Sequence, residues 1–393
     1  MAISTKIQGI ISSSSWIRKM FEEGDHLRKQ YGPDKVFDFS LGNPNIEPPD
    51  KFKELLCQVA GEAIPNKHGY MPNAGYLETR KSVADYQSSV HGLPLSYNNI
   101  IMTCGAGGAL NVILKVLLNP GEEVILLTPC FVEYRFYIDN VGGVPKLVRT
   151  NHDFSLDLAA IEESITENTK IVLINSPNNP TGKVYDANSI KGLADLMTAK
   201  SRTLGKDIYL LSDEPYTDIV YDGIKVPSVL AAYKNSIVVS SYSKNLSLPG
   251  ERIGYIAINP AMNEVQTVID AAILCNRILG FVNAPALMQR IIVNLQGVKV
   301  KVEDYRRKRD LLCNGLASLG YSFILPEGAF YLFPRSPLED DVSFVKALLQ
   351  EKIIVVPGSG FCGPGFFRIS YCVEDSTITN SLDGFAKVMK QYS

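Results

Sequence analysis

The sequence predicts an α/β fold: a mostly parallel sheet with helices on both faces, joined to a smaller α+β domain. Three observations carry this. From about residue 98 onward short apolar runs alternate with helical stretches, the order that builds parallel strands connected by crossover helices. The runs are almost unbroken in Val, Ile and Leu, as suits strands covered on both faces. After about residue 320 the order becomes mixed, with strand-like GAFYLF, IIVV and FFRIS and helices between them.

In chain order, a helix is expected around Trp16 to Tyr31, packed against the smaller domain. The stretch LGNPNIEPP is an extended loop, because each proline fixes φ and removes a backbone donor. Helical periodicity runs from Tyr76 to Val90, from Asp186 to about Leu204, and from about Pro285 to Leu319. The strands of the sheet are IIMTC, EVILLTP, KIVLIN, DIYLLSDE, SIVVSSY and RIGYIAI. This divides the chain into an amino-terminal arm and helix joining the small domain (residues 1–45), a large domain (46–290) and a small carboxy-terminal domain (291–393). There is no internal repeat, and Ser12 to Ser15 is the one low-complexity tract.

A length of 393 residues allows two or three domains at about 150 residues each. Charge is nearly balanced, 39 basic residues against 41 acidic, which implies neither a nucleic-acid footprint nor a polybasic membrane patch. The seven cysteines include no CxxC pair and the four histidines no ligand-like cluster, so neither a disulfide framework nor a zinc or other metal site is indicated. The start, MAISTKIQGI, lacks a basic-then-apolar signal pattern, and no apolar run reaches the ~18 residues of a membrane span. A cytoplasmic protein is the expectation.

The chemistry centres on Lys244 in SSYSKNLSLPGERIG, just past the end of an apolar strand, where α/β sheets place ligands. An amine does carbonyl chemistry only when neutral or held as an imine. Arg252, eight residues on, can lower the amine's pKa through space and clamp a phosphate, and Ser241 can add a hydroxyl to the same phosphate. The competing reading is a solvated lysine beside a surface ion pair. The block TCGAGGAL follows a strand and opens a helix, so the N–H groups of Ala106 and Gly107 point at an anion. A glycine turn also occurs there for steric reasons alone. It matches neither GxGxxG nor GxxxxGK[ST], which argues against dinucleotide and P-loop sites.

These residues resemble those of the fold-type I pyridoxal phosphate (PLP) enzymes, specifically the class I/II aminotransferases. TCGAGGAL, SPNNPTG, SDEPY, the Lys244 block and FRISY stand in that family's order and spacing, and the resemblance covers nearly the whole chain. It implies a PLP-dependent aminotransferase in which Lys244 holds pyridoxal 5'-phosphate as an aldimine and then shuttles the α-proton in a ping-pong reaction. Asp213 pairs with the pyridine nitrogen, keeping the ring an electron sink; otherwise it caps a helix or meets an arginine. Tyr216 and Asn179 bond the ring's phenolate oxygen, although SPNNPTG also reads as a plain turn. Phe131 stacks on the ring or is an ordinary core residue. Arg368, in an apolar strand, matches a substrate α-carboxylate bidentately, and Gly42 lets backbone approach the same group. Tyr70 corresponds to the tyrosine that reaches the phosphate of the other subunit, which implies a homodimer with shared active sites.

The donor stays open. An aspartate enzyme often carries a second arginine, for which Arg277 is the nearby candidate, whereas Tyr331 and its aromatic neighbours suit larger apolar side chains and a broad range. The acceptor expected is 2-oxoglutarate. A PLP-dependent C–S β-lyase or related synthase would use the same cofactor residues. A non-catalytic amino-acid sensor would carry a DNA-binding segment, and no basic helix-turn-helix precedes LGNPN.

Overall fold

The computed structural model describes residues 2–12 and 16–392, so the rest of the serine run, 13–15, lies outside the described residues. The helices of the first half are α1 (Thr5–Ser12), α2 (Trp16–Tyr31), α3 (Asp50–Gly61), α4 (Leu77–His91), α5 (Gly105–Leu117), α6 (Glu133–Asn140) and α7 (Leu158–Ser164). Then come α8 (Ala187–Leu204), α9 (Val229–Ala232), α10 (Val265–Ile278), α11 (Ala286–Ile292), α12 (Val302–Ser318), α13 (Asp341–Gln350) and α14 (Asp375–Met389).

A two-residue strand, β1 (Phe37–Asp38), precedes those of the main sheet: β2 (Ile100–Thr103), β3 (Glu123–Thr128), β4 (Val144–Arg149), β5 (Thr169–Asn175), β6 (Tyr209–Asp213), β7 (Ser236–Ser241) and β8 (Gly254–Ile258). Among the described residues these seven form one sheet in the order β2-β8-β7-β6-β5-β3-β4. Every pairing is parallel except those of β8, which runs antiparallel between β2 and β7.

Alternation of side chains along each strand explains why the sequence runs are apolar throughout. Val124 and Leu126 of β3 enter a core shared with α5 and α10, while Ile125 and Leu127 enter the opposite one with α8. The helices are stopped by local chemistry. The Asp186 side chain accepts from the Ser189 N–H at the start of α8, and Gly205 closes the helix at φ 64°.

The carboxy-terminal third builds a separate core on β9 (Tyr331–Leu332), β10 (Ile353–Ile354), β11 (Val356–Pro357) and β12 (Phe367–Ser370). β11, β12 and β9 form an antiparallel sheet, and β10 pairs in parallel with β1. Phe330, Phe344, Phe367 and Phe385 are fully buried there, and Met20 and Leu27 of α2 join them. At about 1.5–3 kcal/mol for each buried large apolar side chain, this aromatic cluster ties the amino terminus to the last third of the chain.

Three local expectations are corrected. The periodicity from Pro285 to Leu319 is broken into α11 and α12 by residues 293–301, where Gly297 takes φ 77°. The edge strand β4, VPKLVR, was not foreseen, because its outward side chains are polar or half-exposed and Pro145 tolerates only an edge. IIVV is two short strands in two different sheets.

Candidate active site

The carboxyl ends of β3, β5, β6 and β7 face one cavity of about 280 Å³. Because parallel strands all point the same way, residues far apart in sequence, Phe131, Asn179, Asp213 and Lys244, line a single wall. The rest of the lining includes Gly42, Ala106, Gly107, Tyr216, Ser241, Arg252 and Arg368.

Lys244 follows β7 by three residues. Its Nζ donates to the carbonyl of Gly42 at 2.7 Å and lies 5.5 Å from the Phe330 ring centroid. Burial lowers its pKa to about 8, and Arg368 and Arg252 push in the same direction. A neutral amine is therefore within reach near physiological pH.

Asp213 closes β6 and is buried. Its Oδ2 accepts a 2.6 Å hydrogen bond from the Tyr134 hydroxyl, while Oδ1 has no hydrogen-bond partner among the described residues. Burial raises its pKa to about 6 against the lowering effect of Tyr134. A carboxylate so placed is costly until a cation or N–H donor meets it. The amide of Asn175 steadies the segment, donating to the Asp213 carbonyl at 2.8 Å and accepting from the Asn179 N–H at 2.7 Å.

Arg368 stands on β12 and is buried. Nη1 donates to Asn179 Oδ1 at 3.0 Å and Nη2 to the Ser40 carbonyl at 2.6 Å. Its guanidinium lies 4.6 Å from each of the Tyr331 and Phe361 ring centroids. Nε has no hydrogen-bond partner among the described residues, and no carboxylate bonds the group, so it retains donor capacity for an anion. Tyr216 and Tyr331 share a hydrogen bond between hydroxyls at 2.9 Å.

At the opposite end of the cavity, Gly105 opens α5 at φ 69°, and a Cβ there would come within 2.7 Å of Arg252 Nη2. Only glycine lets the turn with Ala106 and Gly107 approach the guanidinium so closely. Gly42 is similarly constrained, since a Cβ would overlap the Tyr331 hydroxyl at 1.9 Å. Helix N–H groups, Ser241 and Arg252 thus converge as anion donors.

These features fit PLP by their chemistry. An orphan buried carboxylate oxygen suits a protonated ring nitrogen, a glycine turn with an arginine suits a phosphate, and a buried amine suits an aldehyde. Two expected residues lie elsewhere in the chain. Tyr70 is 87% exposed, and Arg277 sits on the exposed carboxyl end of α10; neither lines the cavity. Tyr134, Tyr137, Asn175 and Ser243 line the cavity without having been singled out. The spacing of Phe131, Tyr134 and Tyr137, three residues apart into an amphipathic helix, is the signal that could have found two of them.

Fold and cavity together define an α/β enzyme with a pocket for small anionic molecules. Residues 34–385 match the family model for aminotransferase class I and II, and the chain belongs to that family. It is 33% identical to a probable aspartate aminotransferase of Methanocaldococcus jannaschii over 88% of this chain and 91% of the relative. It is 29% identical to aromatic-amino-acid aminotransferase 2 of Thermococcus litoralis, over 100% and 99% of the two chains. Among solved structures, an aminotransferase from Eubacterium rectale superposes with a TM-score of 0.97 at 38% identity, covering 100% of both chains. The aspartate aminotransferase of Thermus thermophilus with maleate superposes at 0.87 and 29% identity, covering 99% and 100%.

Proposed function

We propose that this aminotransferase uses PLP to move the α-amino group of an amino acid to a 2-oxo acid, with 2-oxoglutarate as acceptor and aspartate or aromatic amino acids as donors. The observation that carries the reading is the gathering of Lys244 Nζ, the unpaired Asp213 Oδ1 and the Arg368 guanidinium in one cavity of a chain from this family. When bound, PLP supplies an aldehyde that condenses with amines and a ring that accepts the electrons released at the amino acid's α-carbon.

The protein's side chains do the rest. Lys244 would anchor the cofactor through Nζ, and its amine, whose pKa burial lowers to about 8 so that a neutral fraction exists near physiological pH, would take the α-proton and later return it. Asp213, held by Tyr134, pairs with the ring nitrogen. Ala106, Gly107, Ser241 and Arg252 hold the phosphate. Asn179 and Tyr216 bond the ring oxygen, and Phe131 covers the ring. Arg368, braced by Asn179 and Ser40, takes the α-carboxylate beside Gly42. One site serving donor and acceptor in turn gives ping-pong kinetics. Tyr70 is supplied to the partner subunit's site, so the active unit is a homodimer; its 87% exposure in the single chain supports this.

The names of relatives support both aspartate and aromatic donors, and Phe131, Tyr134 and Tyr331 give the cavity an aromatic lining that accepts larger side chains. A panel of amino donors with 2-oxoglutarate tests the proposal, reading glutamate formation. Pyruvate and ammonia from cystathionine, with no oxo-acid-dependent glutamate from any donor, would overturn it in favour of a C–S β-lyase.

A further inference from the structure

Two cysteines meet beside the cavity without taking part in it. Cys130 lies between β3 and α6, next to Phe131, and is buried. Cys362 lies between Phe361 and β12, the strand of Arg368, and is half-buried. The Cys130 N–H donates to the Phe361 carbonyl at 3.0 Å, which brings the two segments alongside each other, and the two thiols lie close enough to shift each other's ionisation. Arg135 Nη1 stands 3.8 Å from Cys362 Sγ. Cys362 also lines a cleft of about 610 Å³ together with Arg149, His152, Arg335 and Glu339, which gives solvent and small solutes access to this residue.

We propose that Cys362 is a peroxide-sensitive thiol and Cys130 its resolving partner, so that oxidation ties the Phe131 wall of the cavity to the Arg368 wall. The chemistry needs an ionisable, accessible thiol with a second thiol on the neighbouring segment, and the pair divides those roles. The hydrogen bond from Cys130 and the positive charge of Arg135 outweigh burial and bring the Cys362 thiol down to about 6. Cys130 is held well above the ordinary thiol range by that hydrogen bond and by burial, with Glu133 adding to the effect.

The Cys362 thiolate attacks one oxygen of hydrogen peroxide; an S–O bond forms, the O–O bond breaks, and hydroxide leaves and is protonated to water. The Cys130 thiol then attacks the sulfenic sulfur. The S–S bond forms, the S–O bond breaks, and hydroxide leaves with the Cys130 proton as a second water. Two thiols are oxidised and one peroxide is reduced to two waters.

The test treats the purified full chain, with and without added PLP, with hydrogen peroxide and maps peptides without reduction. The expected product is a Cys130–Cys362 linked peptide lighter by two hydrogens and split by dithiothreitol. Cys130→Ser should abolish the link and leave a Cys362 sulfenic acid that dimedone captures; Cys362→Ser should give neither product. In separate untreated samples at pH 7, iodoacetamide should label Cys362 roughly tenfold faster or more than the exposed Cys57. Oxidation elsewhere with no linked peptide, or labelling of Cys362 no faster than Cys57, overturns the assignment.

Discussion

Tyr134 donates its hydroxyl to Asp213 Oδ2 at 2.6 Å, so the first turn of α6 orients the carboxylate that ends β6. The two residues are 79 positions apart, and the bond leaves Oδ1 aimed with no other partner among the described residues. Tyr134→Phe removes the donor while keeping the ring. PLP affinity should fall about 5- to 10-fold, matching the roughly 1–1.5 kcal/mol net contribution of one hydrogen bond. Titration of the apoprotein with PLP reads this directly; unchanged affinity would mean the bond does not orient Asp213 for the cofactor.

Arg368→Lys keeps the charge and loses the planar fork that Asn179 and Ser40 brace. KM for both amino donor and oxo acid should rise on the order of 100-fold, with kcat changed less than about tenfold. Steady-state kinetics with both substrates check it, and an equal fall in kcat at constant KM would count against carboxylate binding.

Lys244→Ala should bind PLP without a bond that borohydride makes permanent, and transamination should drop roughly 10⁴-fold or more. If Tyr70 completes the partner's site, Tyr70→Ala is also impaired, yet mixing it with Lys244→Ala and allowing subunits to exchange should restore activity. In an equal mixture about a quarter of the sites carry both wild-type residues. No recovery in dimers shown to exchange would refute the shared site.

Glu214 follows Asp213 into the protein, where burial raises its pKa to about 8 despite the hydrogen bond from Ser212. A carboxyl whose folded pKa is raised contributes stability that is fully present below its unfolded pKa, near 4.5, and lost as pH climbs through 8. Glu214→Gln lacks this titration. The urea midpoints of apo wild type and variant should run in parallel below about pH 4.5, diverge between there and pH 8 in the variant's favour, and then stay apart. The gap is on the order of 5 kcal/mol at most. A constant offset across the range would show that folding leaves the Glu214 pKa unshifted.

Much of this was legible in one dimension. The unbroken apolar runs foretold β3, β5, β6, β7 and β8 because a strand covered on both faces has no polar positions to spare. Helix α8 was bounded nearly to the residue because Asp186 and Gly205 act locally. The edge strand β4 and the break between α11 and α12 were missed, since a polar edge looks like a loop and helical periodicity can persist through a turn.

The sequence by itself determined which residue types a PLP site could draw on, since motifs such as TCGAGGAL and SPNNPTG are set by turn chemistry between neighbours. Only the tertiary structure decided that Tyr134 would hold Asp213, that Asn179 would brace Arg368, and that Cys130 would pair with the backbone beside Cys362. Those pairs join the carboxyl-end rim of the parallel sheet to α6 and to the segments of the antiparallel sheet in the carboxy-terminal third. A hydrogen bond of 2.6 or 3.0 Å between residues 79 or 189 positions apart leaves no local pattern, because neither partner's near neighbours depend on it.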